Sequence, residues 1–387
     1  MKHVAFVVQR CGREINGGAE QHCLSVSLRM AKYWDIDIIT TCSLDYITWE
    51  NHYSPGVDRI GSVRILRFPV KHPRNIESFG QLSQRIQVNM KENSRDEEEA
   101  WMIAQGPWSP KLLNYINTNH ENYDAFIFFT YLYATTYFGL PKVQDKAYLV
   151  PTAHDEWPIY LGIWDDFIKR PKKLIFNTIE ERNFLRQRFP DAALSGPVVG
   201  VAVNPPIDVN PEGFRKKYKI HHPYFLYLGR IDPSKGCDQL IKYFLRYKSE
   251  TGDLSTKLVL IGKSVMEIPK NPDIITTGFV DEQTKWDALA GCELLIMPSQ
   301  YESLSMVCLE AWAQEKPVLV NGNCDVLVGQ CRRSQGGIWY KDVDEFIEAI
   351  KVLSESTRKI LGKQGFVFVR ENYSWDRIEL IYQKTIN

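Results

Sequence analysis

The chain has no C-x-x-C spacing among its eight cysteines and no excess of either charge, since Lys+Arg and Asp+Glu both number 47. The first absence removes the common zinc-ribbon and dithiol redox spacings. Most of these cysteines lie within apolar runs, so they read as reduced core thiols of a cytoplasmic protein and not as disulfides or metal ligands. The second absence removes any whole-molecule field that would draw in nucleic acid, so an anion has to be held by local chemistry. Long apolar runs are missing too. The opening stretch Val4-Ala5-Phe6-Val7-Val8 ends at Gln9-Arg10 and is too short for the apolar stretch of an export signal, so no export is expected. The uncharged run 125–141 is shorter than the roughly 20 residues that cross a bilayer and carries threonines and tyrosines. It reads as a buried strand followed by a helix. With 387 residues, 44% of them hydrophobic, disorder and a small stapled scaffold are also excluded.

What is present is a recurrence of short apolar runs separated by longer amphipathic stretches, the pattern of parallel strands with crossover helices. Strands are expected at 3–8, 37–40, 63–68, 125–129, 147–150 and 173–176, and again at 224–228, 257–261, 274–276, 293–297, 317–320 and 337–340. Between the two sets, 195–210 is rich in Gly and Pro without helical periodicity and reads as a crossing between domains. Two α/β domains of similar size are expected, 1–203 and 204–371. The polar run 91–99 reads as a solvated helix face or a mobile insertion.

Each half opens alike. Strand, loop and Gly17-Gly18 precede a helical pattern at 19–32; a second strand, Gly229 and Gly236 precede one at 237–247. Such turns place bare backbone N–H groups and a positive helix end at the carboxyl edge of a sheet, which suits a phosphate, although glycine also serves a tight turn for steric reasons alone. In the second half Arg230 and Lys235 lie five apart in that loop. Two cations beside a helix N-terminus can hold a diphosphate without a metal; a pair of surface cations is the plainer reading.

After the strand at 293–297 comes Pro298-Ser299-Gln300-Tyr301-Glu302-Ser303-Leu304-Ser305-Met306, then an apolar helical stretch containing Glu310. Ser303 and Ser305 are N-cap residue types, so a helix is expected to begin there with Glu302 in the turn before it. Eight residues of helix rise about 12 Å and rotate the side chains by about 80°, so Glu302 and Glu310 cannot pair. They can serve opposite ends of one extended ligand, Glu302 beyond the phosphates and Glu310 on a ribose diol. In the first half, His154 is followed by Asp155, Glu156, Trp157 and Tyr160 just past a strand. Ring faces and carboxylates are what a sugar surface requires. Trp101, Trp108 and Tyr131 fit an acceptor surface or core packing equally well.

Other motifs carry less. Gly262-Lys263-Ser264 lacks the first glycine of a P-loop and reads as a strand-end turn. Asp35-Ile36-Asp37 enters a strand, Asp342-Val343-Asp344 reads as a first helical turn, and His221-His222 precedes a proline with no third ligand nearby, so no metal site is expected.

Taken together, Glu302-x7-Glu310 with Ala311-Trp312-Ala313 and Lys316-Pro317-Val318, Gly17-Gly18-Ala19-Glu20, Gly229-Arg230 with Lys235-Gly236, Gly278-Phe279-Val280, and Ala153-His154-Asp155 resemble retaining glycosyltransferases of sequence family four. The resemblance follows the family's order over nearly the whole chain. It implies the GT-B fold: two Rossmann-like domains facing across a cleft, and a C-terminal helix, 372–387, returning to the first domain. It implies transfer of a hexose from a nucleotide sugar, with no cofactor and no metal. In that reading Arg230 and Lys235 bind the diphosphate and stabilise its departure, Glu302 stands beside the donor sugar, and His154 lies near the reacting sugar. Gly17, Gly18, Gly229, Ser303, Leu304, Ser305 and Met306 contact the donor, Phe279 and Val280 read the base, and Glu310 binds the ribose. Glu20 and Trp157 face the acceptor. UDP-glucose is the first expectation for the donor. A glycan or lipid-linked acceptor of cell-surface polysaccharide synthesis is expected, handled in the cytoplasm with room for peripheral attachment at the inner membrane face, and no nucleic acid partner. Ser303-Leu304-Ser305 replaces the family's frequent Phe-Gly or Phe-Pro step, and Asn321-Gly322-Asn323-Cys324-Asp325 replaces a more glycine-rich stretch, so the donor sugar stays open. A non-catalytic nucleotide-binding scaffold of the same fold and a bilobed sugar-binding receptor are the alternatives.

Overall fold

Apolar runs that are continuous rather than alternating belong to strands covered on both faces, and in the computed structural model, which describes residues 1–15 and 17–386, they form two sheets of that kind. The first contains β1 (Lys2–Val7), β2 (Trp34–Thr41), β3 (Gly56–Ile60), β4 (Val63–Phe68), β5 (Ala125–Phe129), β6 (Ala147–Val150) and β7 (Lys173–Leu174), in the order β3-β4-β2-β1-β5-β6-β7. The second contains β8 (Tyr224–Leu228), β9 (Lys257–Ile261), β10 (Ile274–Gly278), β11 (Leu294–Met297), β12 (Val318–Asn321) and β13 (Gly337–Tyr340), in the order β10-β9-β8-β11-β12-β13. All pairings are parallel except β3 with β4.

Strand β3 was not expected from the sequence. Its GVDRI is exposed at every residue but Ile60, and it reaches the sheet edge by a hairpin through Gly61, whose φ of 60° suits glycine. An edge strand with one buried residue offers no apolar run to read.

The chain separates into two compact units, Met1–Val201 with the segment from Ile378 on, and Ala202–Arg377. No helix interrupts residues 195–210. The last helix, Trp375–Thr385, begins in the second unit and ends in the first, where Glu379 accepts hydrogen bonds from Arg29, Lys32 and Tyr33. It starts three residues after 372, behind a break at Tyr373-Ser374, and Asn387 lies outside the described residues.

Each sheet reverses its strand order once, between β1 and β5 in the first unit and between β8 and β11 in the second. Loops leaving adjacent strands in opposite directions open a crevice at their carboxyl ends. Helices close the faces. Cys237–Thr251, for example, buries Cys237, Leu240, Ile241, Phe244 and Tyr247 at i, i+3, i+4 and i+7 spacings against β8 and β9 residues such as Phe225 and Leu258. Each large apolar side chain so buried contributes about 1.5–3 kcal/mol.

The run 125–141 is β5 followed by the helix Ala134–Gly139, and no helix of the described residues is long and apolar enough to cross a membrane. All eight cysteines are buried and unpaired. The run 91–99 is only partly a solvated face. It starts the helix Arg95–Gln105 with a Ser94/Glu97 capping box, and Glu98 is buried, accepting the amides of Gly162 at 3.1 Å and Ile163 at 2.8 Å.

Candidate functional site

The five residues of β8 are all buried, and the chain leaves the sheet through Gly229 at φ 142°. The loop that follows is held at several points. Tyr227 Oη donates to the Arg230 carbonyl at 2.6 Å, and Ile231 N–H donates to the Lys263 carbonyl at 3.0 Å. Asp232 then accepts the Ser234 amide at 2.8 Å and starts the short turn Pro233–Lys235. Burial works against the Asp232 carboxylate, but that amide and Arg230 outweigh it and hold the carboxyl below its ordinary range. Gly236 closes the turn at φ 74°, where a Cβ would stand 2.6 Å from the Pro298 carbonyl oxygen. The close approach is therefore built on the missing side chain, and it brings the loop after β8 against the loop after β11.

The two loops meet at the point where the strand order reverses. Lys235 Nζ lies 2.9 Å from Glu302 Oε1, although 67 residues separate them. Arg230 Nε lies 2.7 Å from Asp232 Oδ2, and its Nη2 lies 3.4 Å from Ser234 Oγ. The sequence placed Arg230 and Lys235 in one loop; the structure brings Glu302 to that loop from the one after β11, so that each cation already stands opposite a carboxylate. Buried Asn321 supports the same loop by donating from Nδ2 to the Pro298 carbonyl at 2.8 Å and accepting the Asn323 amide at 2.9 Å.

The helix after β11 begins later than the serines indicated. It runs Met306–Ala313, and Ser305 precedes it in the left-handed region at φ 58° with no side-chain cap bond; its hydroxyl donates to Cys308 Sγ at 3.3 Å instead. Serine caps from extended backbone, which this φ does not provide. Ser303 and buried Leu304 lie in the turn between Glu302 and the helix. Glu310 is inside the helix, buried, with Oε1 2.7 Å from Lys285 Nζ. Burial raises the Glu310 carboxyl against the pull of Lys285. For Lys285, burial is outweighed by Glu310 and by Glu282 at 2.8 Å, so its ammonium is held above the ordinary range. Sequence reading missed Lys285, because its i,i+3 relation to Glu282 is visible in the sequence but its contact with Glu310 is not. Phe279 is exposed and Val280 half-buried just past β10, after Gly278 at φ 71°. Trp312 is fully buried, donating to the Gly336 carbonyl at 2.9 Å, so the Ala311-Trp312-Ala313 step anchors the helix.

In the first unit Gly17 is the N-cap of the helix Gly18–Met30, and a Cβ on it would meet Glu20 Oε2 at 2.0 Å, while Gly18 faces open space. Glu20 is engaged within the first unit. It is buried and bonded to Arg10 Nε at 2.6 Å, and Arg10 in turn donates to the Leu44 carbonyl at 2.7 Å. Past β6, half-buried His154 has Nδ1 3.2 Å from Glu156 Oε1. Trp157 is spent largely on packing, edge-on to Trp101 at 5.1 Å. Trp101 and Tyr131 are core residues, each 1% exposed, and Trp108 is half-buried against Phe138. A further acid that the sequence gave no reason to select, Glu181, lies beneath this loop and accepts the Ala153 amide at 2.7 Å.

The motifs set aside are structural. Asp37 is buried in a network with Arg64, His3 and Tyr123, and Asp342 caps the helix Val343–Val352. Gly262 turns the chain at φ 144°, and the His222 carbonyl accepts from Arg215 at 2.8 Å. Among the described residues no group of three or more His, Cys, Asp or Glu is placed to hold a metal.

Residues 222–356, which include Arg230, Lys235, Lys285, Glu302 and Glu310, match the family model described as Glycosyl transferases group 1. Over 175 residues, 42% of this chain, the sequence is 27% identical to an uncharacterized glycosyltransferase of Methanocaldococcus jannaschii, and the match spans less than half of that relative, 43% of its length. Among solved structures, sucrose-phosphate synthase from Thermosynechococcus elongatus superposes with a TM-score of 0.73 at 16% identity, covering 100% of this chain and 98% of that one. HepE from Anabaena, in complex with UDP and glucose, gives 0.69 at 13% identity, covering 100% and 99%. WaaG, a glycosyltransferase involved in lipopolysaccharide biosynthesis, gives 0.66 at 14% identity, covering 99% and 98%. The fold of this chain is GT-B.

Proposed function

We propose that the protein is a retaining, metal-independent hexosyltransferase that takes its sugar from a UDP-linked donor, first of all UDP-glucose, and passes it to a glycan or lipid-linked acceptor of a cell-surface polysaccharide in the cytoplasm. The observation that carries this reading is the meeting of Lys235 with Glu302 beside Arg230, at the strand-order reversal of the second sheet. Parallel sheets bind ligands at that point. The segment's match to Glycosyl transferases group 1 supports the reaction class, and HepE, solved with UDP and glucose, and WaaG support the donor and acceptor classes.

In this reading the pairs Lys235–Glu302 and Arg230–Asp232 hold the two cations in place before the donor binds. The diphosphate then exchanges with the carboxylates. As the glycosidic bond breaks, charge grows on the departing UDP, and fixed cations stabilise it without reorganising. Backbone groups from Gly229 and from Ser303 to Met306 line the same phosphates, Phe279 and Val280 take the base, and Glu310 takes the ribose through Oε2 while Lys285 holds Oε1. In the first unit, Gly17 and Gly18 offer bare backbone and His154 orients the reacting sugar. Same-face attack assisted by the leaving phosphate retains configuration, and neither Glu302 nor His154 forms a covalent intermediate. Glu20 and Trp157 act on the acceptor side by shaping the first unit's loops.

The test is a panel of nucleotide sugars scored for slow hydrolysis and for transfer by mass analysis, with calorimetry of free UDP. Binding of UDP and turnover of a UDP-hexose in EDTA is the expected result. Nucleotide binding with no hydrolysis or transfer on the whole panel would identify a scaffold. Binding of free sugar without nucleotide would identify a receptor, and activity lost in EDTA and restored by manganese would overturn metal independence.

A further inference from the structure

Glu181 sits at the third position of the helix Ile179–Arg188, whose N-cap Thr178 accepts the Glu181 amide at 3.2 Å. A capping-box glutamate at that position turns back to the N-cap amide, and Glu181 does face the Thr178 amide in this way. Its side chain is 1% exposed and also reaches across to a second segment, with Oε1 accepting the Ala153 amide at 2.7 Å and Oε2 the Asn177 amide at 2.6 Å. Ala153 immediately precedes His154.

The backbone on the other side of Ala153 is under constraint. Thr152 adopts φ 50° and Thr130, in the loop after β5, adopts φ 68°, and the Thr152 hydroxyl donates to that of Thr130 at 2.9 Å. Branched residues enter the left-handed region at a cost, and they stay there where their surroundings hold them. Thr130 N–H on the Val150 carbonyl and Tyr131 N–H on the Pro151 carbonyl hold the start of the segment. Glu181 holds the position just beyond Thr152. A loop that merely joined a strand to a short turn would need neither the two left-handed threonines nor a buried carboxylate from 28 residues away.

We propose that Glu181 is a positioning residue for the reaction: by pinning the Ala153 amide it keeps Thr152 in its left-handed conformation and fixes where the His154 imidazole stands. This rests on the reading of His154 as the group that orients the reacting sugar. Three variants of the full chain test it, with UDP-glucose, or whichever panel member the wild type turns over, as donor. Glu181→Gln keeps the shape but replaces a carboxyl oxygen, which keeps a lone pair for a backbone donor whether or not the group is protonated, by an NH2 group that has none. It is expected to lower kcat about 10- to 100-fold, the scale of a misplaced catalytic group, with the donor KM within about twofold, and to speed hydrogen exchange in residues 151–156. Leu185→Ala, which empties a core position on the same helix, is expected to lose at least as much in Tm while keeping the wild-type kcat. In a His154→Ala background, Glu181→Gln is expected to cost nothing more.

A wild-type kcat for Glu181→Gln, unchanged exchange in 151–156, or losses that multiply in the double variant would overturn the positioning role. A loss of kcat in Leu185→Ala equal to that in Glu181→Gln would overturn it as well, because stability alone would then account for both. Full activity in His154→Ala overturns the reading of His154 itself, and the exchange measurement shows separately whether Glu181 holds the loop.

Discussion

Lys285 Nζ stands 2.7 Å from Glu310 Oε1, joining two helices across 25 residues of sequence. An acid inside the apolar run Val307-Cys308-Leu309 requires a reason to be there, and the structure supplies one that a ribose hydroxyl alone would not. Removing one member of a buried pair leaves an uncompensated charge, which typically costs about 3–5 kcal/mol. Lys285→Ala is therefore expected to lower stability by that order and to weaken UDP binding, since the ribose acceptor would lose its anchor. The double variant Lys285→Met with Glu310→Gln should recover most of the stability and none of the UDP affinity. Denaturant titration and calorimetry on the same samples separate the two effects, and a double variant that binds UDP like the wild type would remove Glu310 from the site.

Arg230 and Lys235 are predicted to act on the transition state more than on folding. Both are partly exposed and paired with partly exposed carboxylates, so deletion should change stability by no more than about 1 kcal/mol. Loss of a transition-state donor costs about 2.7–4 kcal/mol, or 10²–10³ in rate. Arg230→Ala and Lys235→Ala are each expected to lower transfer by that range with small shifts in Tm, and wild-type rates from both would sink the assignment.

The contrast between Lys235 and Lys285 shows what the sequence carried. Arg230, Lys235 and Glu302 were legible because each follows a strand whose apolar run is unbroken, and a parallel sheet delivers those loops to one edge. Strands β5, β6, β8, β9 and β13 stand where their apolar runs end, for the same reason. Lys285 and Glu181 were not legible. Each makes its decisive contact with a segment 25 or 28 residues away through side-chain direction, and neither pattern nor propensity encodes that. For Glu20 and Trp157 the residue types suited an acceptor, but their contacts with Arg10 and Trp101 were not legible either. Ser305 failed through its backbone, since a positive φ cannot be read from a serine.

Gly236 joins the loop bearing Lys235 to the loop bearing Glu302, and both its φ of 74° and the 2.6 Å approach to the Pro298 carbonyl forbid a side chain there. Gly236→Ala is predicted to cost about 1–3 kcal/mol in stability and to push the two loops apart. UDP affinity should fall with it, whereas Gly18→Ala, where a Cβ meets nothing within 4 Å, should leave stability within about 0.5 kcal/mol. Equal stability for the two variants would contradict the close approach.

Glu181 also makes a prediction about pH. Burial pushes its carboxyl up from 4.5 to about 8, against three backbone amides that favour the charged form. The unfolded chain releases this proton near pH 4.5, while the folded chain keeps it until about pH 8. Between those values the folded state binds more protons than the unfolded state, so stability falls as pH rises, and the loss is complete once the folded group has ionised. Its size is on the order of a few kcal/mol. Other titrating groups, including Glu310 and Asp37, are common to the wild type and Glu181→Gln and cancel in the difference between them. The difference in unfolding free energy, wild type minus Glu181→Gln, should therefore decline from about pH 5 to about pH 8 and then level. Urea titrations of both proteins at each pH measure it directly, and a difference that stays constant through that window would show that the buried carboxyl ionises no higher than its ordinary value, with its amides fully offsetting its burial.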